Sequence, residues 1–494
     1  MRTRGAACLT CRKKARKCDR AWPICKRCIS KGLECGGYPD KFRFCGIASR
    51  GKWKNQEAPV PSPGVPASKG QSTRNCDDSP TKLATTSLAP SSTQRPTLGG
   101  QTDIDEILGS ADAESLLSHY DEVICPHQIA PCVDSKDNPY RQYVLPLAYE
   151  QIGLLYAVLA FSACHLGHLN HDKQLYENFA LDYRVKAITS LGIAIKKVCS
   201  GVFHENDRDG VFATIQILLL HDICESGISA HGAHISGAMS ICSQMMLEDK
   251  LSVEQERTVF FLGNLAWLDI IRAFSMPERL CFSQNLRQKL LSLCNLRFEA
   301  VNGCPRELVL IIGDVLENAK AYLGCNLVLK EYGDVLQDAI QRMYSWDSSR
   351  CFYPDEDSLW SSVAEAFRHS LILRTWRLLN PVEPASEEHI QDSVTKILDS
   401  VSEIPGSNPL IELLVLPLFM AGADCLSPHS RHYILLRLGD IRARSEMGLA
   451  APQDLLHKVW EARAQKPKHD HSNVSWMLFT SNSESTRQDD YLII

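Results

Sequence analysis

Six cysteines cluster near the start of this 494-residue chain and could bind metal: Cys8, Cys11, Cys18, Cys25, Cys28 and Cys35. Their spacing repeats the unit C-x2-C-x6-C twice. A C-x2-C pair places two thiolates on one turn of chain, where both can reach a single ion. The chain opens on a polar, cationic run instead of an apolar secretion signal. We therefore expect a reducing compartment, in which clustered cysteines bind metal more often than they form disulfides.

The number of sulfurs indicates two zinc ions. Each half supplies three thiolates, one fewer than a tetrahedral Zn²⁺ requires. If two ions share two bridging thiolates, the six cysteines fill all coordination positions without a histidine or a water. Because no position stays open, the sequence predicts two structural Zn²⁺ ions and no catalytic metal. Residues 1–45 have few long apolar runs, so we expect metal binding, and not a hydrophobic core, to fold them.

The basic residues are concentrated in the first half of this cluster. Five of the six positions between the second and third cysteines are cations, namely Arg12, Lys13, Lys14, Arg16 and Lys17. Residues 1–54 carry a net charge of +13, whereas the rest of the chain carries −18. Cations fixed beside a short helix can bind phosphates and reach guanine edges in the major groove. The pattern predicts that these five residues bind double-stranded DNA.

Residues 2–44 closely resemble the DNA-binding domain of fungal zinc binuclear cluster (Zn2Cys6) transcription factors. The resemblance rests on CLTCR at 8–12, KCD at 17–19, PIC at 23–25, GLEC at 32–35 and GY at 37–38. It implies that Cys8 and Cys25 bridge the two ions and that Pro23 shapes the turn between the halves. It also implies that the first helix reads a CGG-like triplet. Ala15 departs from the family, which usually has Lys there, so Lys14 or Arg16 is expected to take over the base contact.

The rest of the chain divides by composition. Residues 46–102 are rich in Pro, Ser, Thr and Gly, and no aromatic residue occurs over 54–119, which predicts a flexible linker. Residues 103–465 show apolar positions at three- and four-residue spacing, which predicts one large all-α regulatory domain. We expect helices near 146–169, 173–200, 208–224, 232–248, 252–275, 307–326, 331–345, 357–380, 408–424 and 430–447. Residues 466–494 are predicted to form a flexible tail, with an acidic, aromatic activation segment as an alternative.

The helical region resembles the fungal-specific transcription factor regulatory region over about residues 105–450. The similarity rests on NPYR at 138–141, LPLA at 145–148, AFSACHL at 160–166 and HISGA at 234–238. It implies a nuclear regulator that contacts the transcription machinery or co-regulators, and it leaves a homodimer open. No heptad repeat follows the cysteines, so the sequence indicates no coiled-coil arm. By family analogy, the regulated genes would belong to a metabolic or secondary-metabolite pathway.

The helical region contains further residues that could bind a metal, a ligand or a membrane. The histidines at 165, 168 and 171, and those at 231 and 234, are predicted to be ordinary helix residues rather than metal ligands. Met239, Met245, Met246 and Leu247 are expected in the core, with a ligand pocket as the alternative. The apolar stretches 152–169 and 409–426 are interpreted as buried helices, so no membrane segment is expected.

No nucleophile-elbow, Walker or dinucleotide-binding motif occurs, so the sequence predicts no enzyme. Two other functions stay open. The zinc cluster could bind an acidic protein partner as a co-regulator, and the helical body could sense a small molecule.

Overall fold

The chain divides into two compact units, residues 1–93 and 94–494, which are described separately. In this computed structural model, the described residues are 9–14, 16–19, 25–33, 35, 99–130, 137–169, 173–201, 204–229, 232–295, 297–467, 469–480 and 490–494. Residues 46–98, which are most of the predicted linker 46–102, lie outside the described residues. The predicted end of the linker at 102 is too late, because a helix already begins at Gly99.

Within its described residues, the N-terminal unit contains two helices, α1 (Leu9–Lys13) and α2 (Lys26–Ser30). Cys11, Cys25 and Cys28 are its buried centre, with Cys18, Leu33 and Cys35 packed around them. This agrees with the prediction of two short helices with little apolar core.

The second unit is almost entirely helical, as predicted. Its helices are α3 (Gly99–Leu108), α4 (Ala111–His119), α5 (Cys125–His127), α6 (Leu145–Ala148), α7 (Ile152–Leu169), α8 (Lys173–Cys199), α9 (Glu205–Glu225), α10 (Ala233–Gln244), α11 (Leu247–Lys250), α12 (Glu256–Ser275), α13 (Gln284–Leu293), α14 (Arg297–Asn302), α15 (Arg306–Leu323), α16 (Leu329–Ser345), α17 (Leu359–Leu379), α18 (Glu388–Glu403), α19 (Val415–Asp424), α20 (Pro428–Ser445) and α21 (Ala450–Ala464).

Shorter elements connect these helices. They are the π-helical turns Tyr120–Ile124 and Tyr140–Val144, and the 3-10 turns Val253–Gln255, Pro277–Arg279, Ser348–Arg350, Pro409–Leu414 and Trp476–Phe479. Strands β1 (Ile228–Ser229) and β2 (Asp490–Tyr491) pair antiparallel in the one sheet found among the described residues.

Helices α7, α9, α12, α17 and α19 form the centre of the second unit, since most of their residues are buried. A helix that is apolar on nearly all sides is stable only when other helices surround it. Some polar residues on these helices form pairs inside the core. Arg377 of α17, for example, donates from Nη2 to Asp424 Oδ1 of α19 over 2.6 Å.

Some predicted helix bounds were wrong for local reasons. The segment 146–169 is two helices, because α6 ends at Ala148 and α7 begins only at Ile152. A π-helical turn, Tyr140–Val144, precedes α6, which has Pro146 in its first turn. Proline has no N–H to continue the ordinary hydrogen-bond pattern. The segment 408–424 begins as a 3-10 turn up to Leu414 and becomes α-helical only at Val415. The segments 173–200, 307–326 and 331–345 match α8, α15 and α16 to within three residues.

The prediction of a flexible tail over 466–494 was wrong for its described residues, 466–467, 469–480 and 490–494. Trp476 is buried and packs edge-to-face on Phe419, with ring centroids 5.1 Å apart. β2 pairs with β1, and the N–H of Leu492 donates to the carbonyl of Gly227 over 2.9 Å. These contacts join the last residues to the helical core, which sequence composition alone could not indicate.

Among the described residues, two helical segments are long and apolar enough to cross a membrane by length and composition, Ile152–Leu169 and Val253–Ser275. Of the most apolar 18-residue window in each segment, 67% and 100% of the residues are buried inside the helical unit. The structure thus gives Ile152–Leu169 the buried position that the sequence predicts, and it also buries most of 409–426, including all of α19.

Candidate metal centre and nucleic-acid interface

Three of the predicted metal ligands pack directly against one another. Cys11 lies in α1, Cys25 is the residue before α2, and Cys28 lies within α2. The Sγ of Cys11 is 3.8 Å from that of Cys25 and 3.9 Å from that of Cys28. Sulfurs about 2.3 Å from a tetrahedral Zn²⁺ lie about 3.8 Å from one another. All three residues are at most 3% exposed, so the donors present fit a buried tetrahedral ion.

Cys25 belongs to two groups of donor atoms. One group is Cys11, Cys25 and Cys28, and the other is Cys18, Asp19 and Cys25; within each, the atoms lie within 4.8 Å of one another. A sulfur common to two groups has the position expected of a ligand shared by two ions. Cys35 packs against the cluster, whereas Cys8 and Pro23 lie outside the described residues.

Asp19 ties the two halves together, a role that sequence reasoning missed. Its Oδ2 accepts a hydrogen bond from the N–H of Lys26 over 3.1 Å, and its Oδ1 accepts one from Arg27 over 3.2 Å. These N–H groups belong to the first two residues of α2, where an N–H group has no acceptor within the helix. The N-cap residue of α2 is Cys25, whose Sγ accepts from the N–H of Cys28 over 3.3 Å. Because the preference for aspartate applies to the N-cap position itself, sequence rules could not identify the role of Asp19.

The α2 helix ends at a left-handed glycine. Gly32 has φ +58°, and the next residue, Leu33, donates its N–H to the carbonyl of Cys28 over 2.9 Å. A side chain at this φ would be strained, which explains the glycine. The turn keeps Leu33 against the cysteine cluster.

The predicted DNA-binding residues lie at the end of α1 and in the segment that follows. Lys13, Lys14, Arg16 and Lys17 are exposed. The backbone N–H of Lys14 donates to Thr10 over 3.1 Å, and that of Arg16 donates to Cys11 over 2.9 Å. These bonds hold the basic segment next to a metal ligand. The Arg12 side chain and Ala15 lie outside the described residues.

The other candidate ligands are engaged elsewhere. Nδ1 of His165 is 3.1 Å from Nε2 of His119, and its Nε2 is 3.0 Å from the carbonyl of Ser445. Burial lowers the pKa of both His165 and His168. Neither is in any group of metal donors found among the described residues, while residues 171 and 231 are not described. The contacts of His165 are those of an ordinary helix histidine, whereas for residues 171 and 231 this stays a prediction.

Six of the eleven scattered thiols that the structure describes in the helical unit are buried. Burial raises the pKa of Cys125 and Cys304. A hydrogen bond with Cys164, together with burial, raises the pKa of Cys224. A thiol with a raised pKa is a poor nucleophile and a poor metal ligand. These residues therefore act as small apolar side chains, while Cys132 lies outside the described residues.

Comparison with known families identifies both units. Residues 6–44 match the fungal Zn(2)-Cys(6) binuclear cluster domain, and residues 115–489 match the fungal specific transcription factor domain. A search of curated proteins and a search of solved structures found no match. The second family covers more than half of the chain, and the first contains the cysteine cluster described above. The chain therefore belongs to the fungal zinc-cluster transcription regulators.

Proposed function

We propose that this protein is a nuclear, sequence-specific DNA-binding regulator that reads CGG-like sites through a cluster of two structural Zn²⁺ ions. Cys8, Cys11, Cys18, Cys25, Cys28 and Cys35 would hold the ions, with Cys8 and Cys25 shared. The metal supplies folding free energy to a segment that has almost no apolar core. The protein residues then fix a basic surface in one orientation.

The observation that carries this proposal is the sulfur triangle next to the exposed cations. Its 3.8 and 3.9 Å edges suit tetrahedral zinc. Lys13, the last residue of α1, is exposed, and so are Lys14, Arg16 and Lys17, which follow the helix. Because Arg16 is hydrogen-bonded through its backbone to Cys11, loss of the metal would also disorder the DNA-binding residues.

The first experiment tests the dependence on zinc. Full-length, zinc-loaded protein is used to select binding sites from random duplexes, and affinity for the selected site is then measured by fluorescence anisotropy. Cys11→Ser or chelation should reduce affinity for that site roughly 1,000-fold or more, to the level of non-specific binding. Cys199→Ser, at an exposed cysteine in α8, is the matched control and should bind normally. Binding that survives chelation refutes the zinc-dependent mechanism, and failure to enrich any site favours a protein partner instead.

The second experiment tests base recognition. Lys14→Gln should cost about 1–3 kcal/mol on the selected site and little on random DNA if Lys14 contacts bases, whereas loss of a phosphate contact weakens all sequences alike. Lys31→Gln is the matched control, because Lys31 is also exposed but lies in the half with few cations. An equal loss of affinity on both DNAs would show that Lys14 does not contact bases. The same test would then be made with Arg16.

The regulated genes are proposed, from the family, to serve one metabolic or secondary-metabolite pathway. Deletion of the gene followed by transcript profiling tests this. A defined set of transcripts with linked metabolic functions should change. A diffuse change without the selected DNA site upstream of the affected genes contradicts the proposal.

A further inference from the structure

The helical unit contains a cavity of about 300 Å³ far along the chain from the cysteine cluster. Helices α9, α12, α17, α19 and α20 contribute to its wall, together with the 3-10 turn Pro409–Leu414. Much of the wall is apolar and is formed by Leu220, Trp267, Leu268, Phe367, Leu416 and Ile441. The volume lies at the lower end of the roughly 300–1,000 Å³ typical of small-molecule sites.

Three buried carboxamides interrupt this apolar wall, and each uses only one of its two polar atoms within the protein. They are Gln128, Gln216 and Asn264, which are 8%, 1% and 4% exposed. Nε2 of Gln128, Oε1 of Gln216 and Nδ2 of Asn264 have no hydrogen-bond partner among the described residues. A buried polar atom without a partner costs about 1–3 kcal/mol, so three around one cavity require an explanation.

The second atom of each carboxamide holds it in place. Oε1 of Gln128 accepts from the Tyr120 hydroxyl over 3.2 Å, and Nε2 of Gln216 donates to the Tyr140 hydroxyl over 3.2 Å. Oδ1 of Asn264 accepts from Nδ2 of Asn302 over 2.9 Å. The wall thus fixes three amides and leaves two donors and one acceptor for another molecule.

The charged residues of the wall are paired with one another. Glu412 accepts from Arg444 Nε through Oε1 over 3.0 Å, and its Oε2 is 3.0 Å from Nδ1 of His127. Nη1 of Arg444 also donates to the carbonyl of Ser407. The carboxylate is therefore already used by two partners, and the guanidinium has a carboxylate beside it. An ionic ligand would have to displace this pairing, whereas an uncharged one would not.

We propose that this cavity binds an uncharged, largely apolar small molecule that carries both a hydrogen-bond acceptor and a hydrogen-bond donor. Gln128 and Asn264 would donate to the acceptor, and Gln216 would accept from the donor. Terminal amide torsions are broad, so modest rotation can direct these atoms at a ligand. This binding site is independent of the proposed DNA contacts.

The position of the cavity gives such a ligand an effect on the whole helical unit. Its wall combines residues 126–130 and Tyr140 with the distant segments 409–416 and 441–449. A molecule that binds only when these segments are assembled stabilises the folded unit by mass action. The expected measurement is a rise in Tm of about 3 °C at a ligand concentration one hundred times Kd.

The experiment uses full-length protein and three naphthalene probes of similar size. The first is 6-acetyl-2-naphthol, studied near pH 6.5 so that its hydroxyl stays protonated; it has both an acceptor and a donor. The second, 2-ethylnaphthalene, has neither, and the third, 6-hydroxy-2-naphthoate, replaces the acetyl group with a carboxylate. Calorimetric titration and Tm shifts should show the first bound about tenfold or more tightly than either of the others.

Two variants locate this binding. Asn264→Leu and Gln216→Leu should each weaken 6-acetyl-2-naphthol about tenfold and leave 2-ethylnaphthalene unchanged, which also shows that the cavity is intact. Gln255→Leu is the matched control: Oε1 of Gln255 is likewise buried without a partner among the described residues, but Gln255 is not part of the cavity wall.

Three results would overturn the proposal: no Tm shift with the neutral probes, equal affinity for the anion, or equal loss in the Gln255 control. The result does not depend on DNA recognition, because Cys11→Ser protein should bind the probe as wild type does. A failure of the zinc-dependent function can therefore be distinguished from a failure of this inference.

Discussion

Replacing Asp19 with alanine should weaken zinc binding about 30-fold, although Asp19 is not one of the six predicted ligands. Its carboxylate accepts two backbone hydrogen bonds, from Lys26 and Arg27, at 3.1 and 3.2 Å. Because Asp19 is exposed, each bond contributes only about 1 kcal/mol net. The total of about 2 kcal/mol corresponds to about 30-fold in a binding constant. Since metal binding and folding are linked in this unit, the loss should be measured as zinc affinity.

The assay is a competition titration of full-length protein against a chromophoric zinc chelator. Asp19→Asn keeps an oxygen acceptor and should lose less affinity than Asp19→Ala. The control is Asp347→Ala, because Asp347 also accepts a backbone N–H, from Ser349 over 3.0 Å, but lies in the helical unit. An unchanged zinc affinity in Asp19→Ala refutes the capping role.

The Co²⁺-substituted protein separates capping from direct ligation. Asp19 has a donor atom within 4.8 Å of those of Cys18 and Cys25, so both roles must be tested. If Asp19 only caps α2, the visible spectrum of tetrahedral thiolate-bound Co²⁺ is retained in Asp19→Asn. A changed ligand-field spectrum would instead identify Asp19 as a ligand.

Two further predictions concern the helical unit. Asp424→Asn leaves the buried Arg377 guanidinium poorly paired and should destabilise the unit by about 3–5 kcal/mol, or about 4–6 °C in Tm, by differential scanning calorimetry. Glu177→Gln, in an exposed pair with Lys173, should change stability by less than about 1 kcal/mol, and an equal effect of the two variants would contradict the reasoning. Burial lowers the pKa of His119 and His369 to about 4, below the value of about 6.5 in an unfolded chain. Between pH 6.5 and 4 the unfolded chain therefore binds more protons at these two positions, so the stability measured by urea denaturation should fall as the pH is lowered through this range. His369→Gln should flatten this dependence, and an unchanged slope would show that His369 does not contribute.

The zinc module could be predicted in detail because the residues that define it lie close together in the sequence. The repeated cysteine spacing covers fewer than thirty residues, and the cations lie between two of the ligands. Family comparison supports the same assignment. The amphipathic helices were predicted for the same reason, since a spacing of three and four residues can be read directly along the chain.

The cavity could not be predicted, because its polar residues share no local pattern. Gln128 follows α5, Gln216 lies in α9 and Asn264 lies in α12, and only packing brings them to one wall. The sequence suggested Met239 and its neighbours as the alternative pocket, but none of them lines this cavity. Similarly, the aromatic residues of the predicted tail show no local pattern that distinguishes a flexible segment from a packed one. In the structure Trp476 packs on Phe419, which is far away in the sequence.

The pairing of the last strand with β1 also bears on biosynthesis. Asp490, in β2, contacts Arg279, which precedes it by 211 residues. At a synthesis rate of about 5–20 residues per second, the ribosome needs roughly 10–40 s to make the intervening chain. During that interval Arg279 and β1 have already been synthesised, but β2, which contacts both of them in the folded unit, has not. The helical unit can therefore finish folding only after β2 has been synthesised, and chaperones would have access to this face of the nascent chain until then.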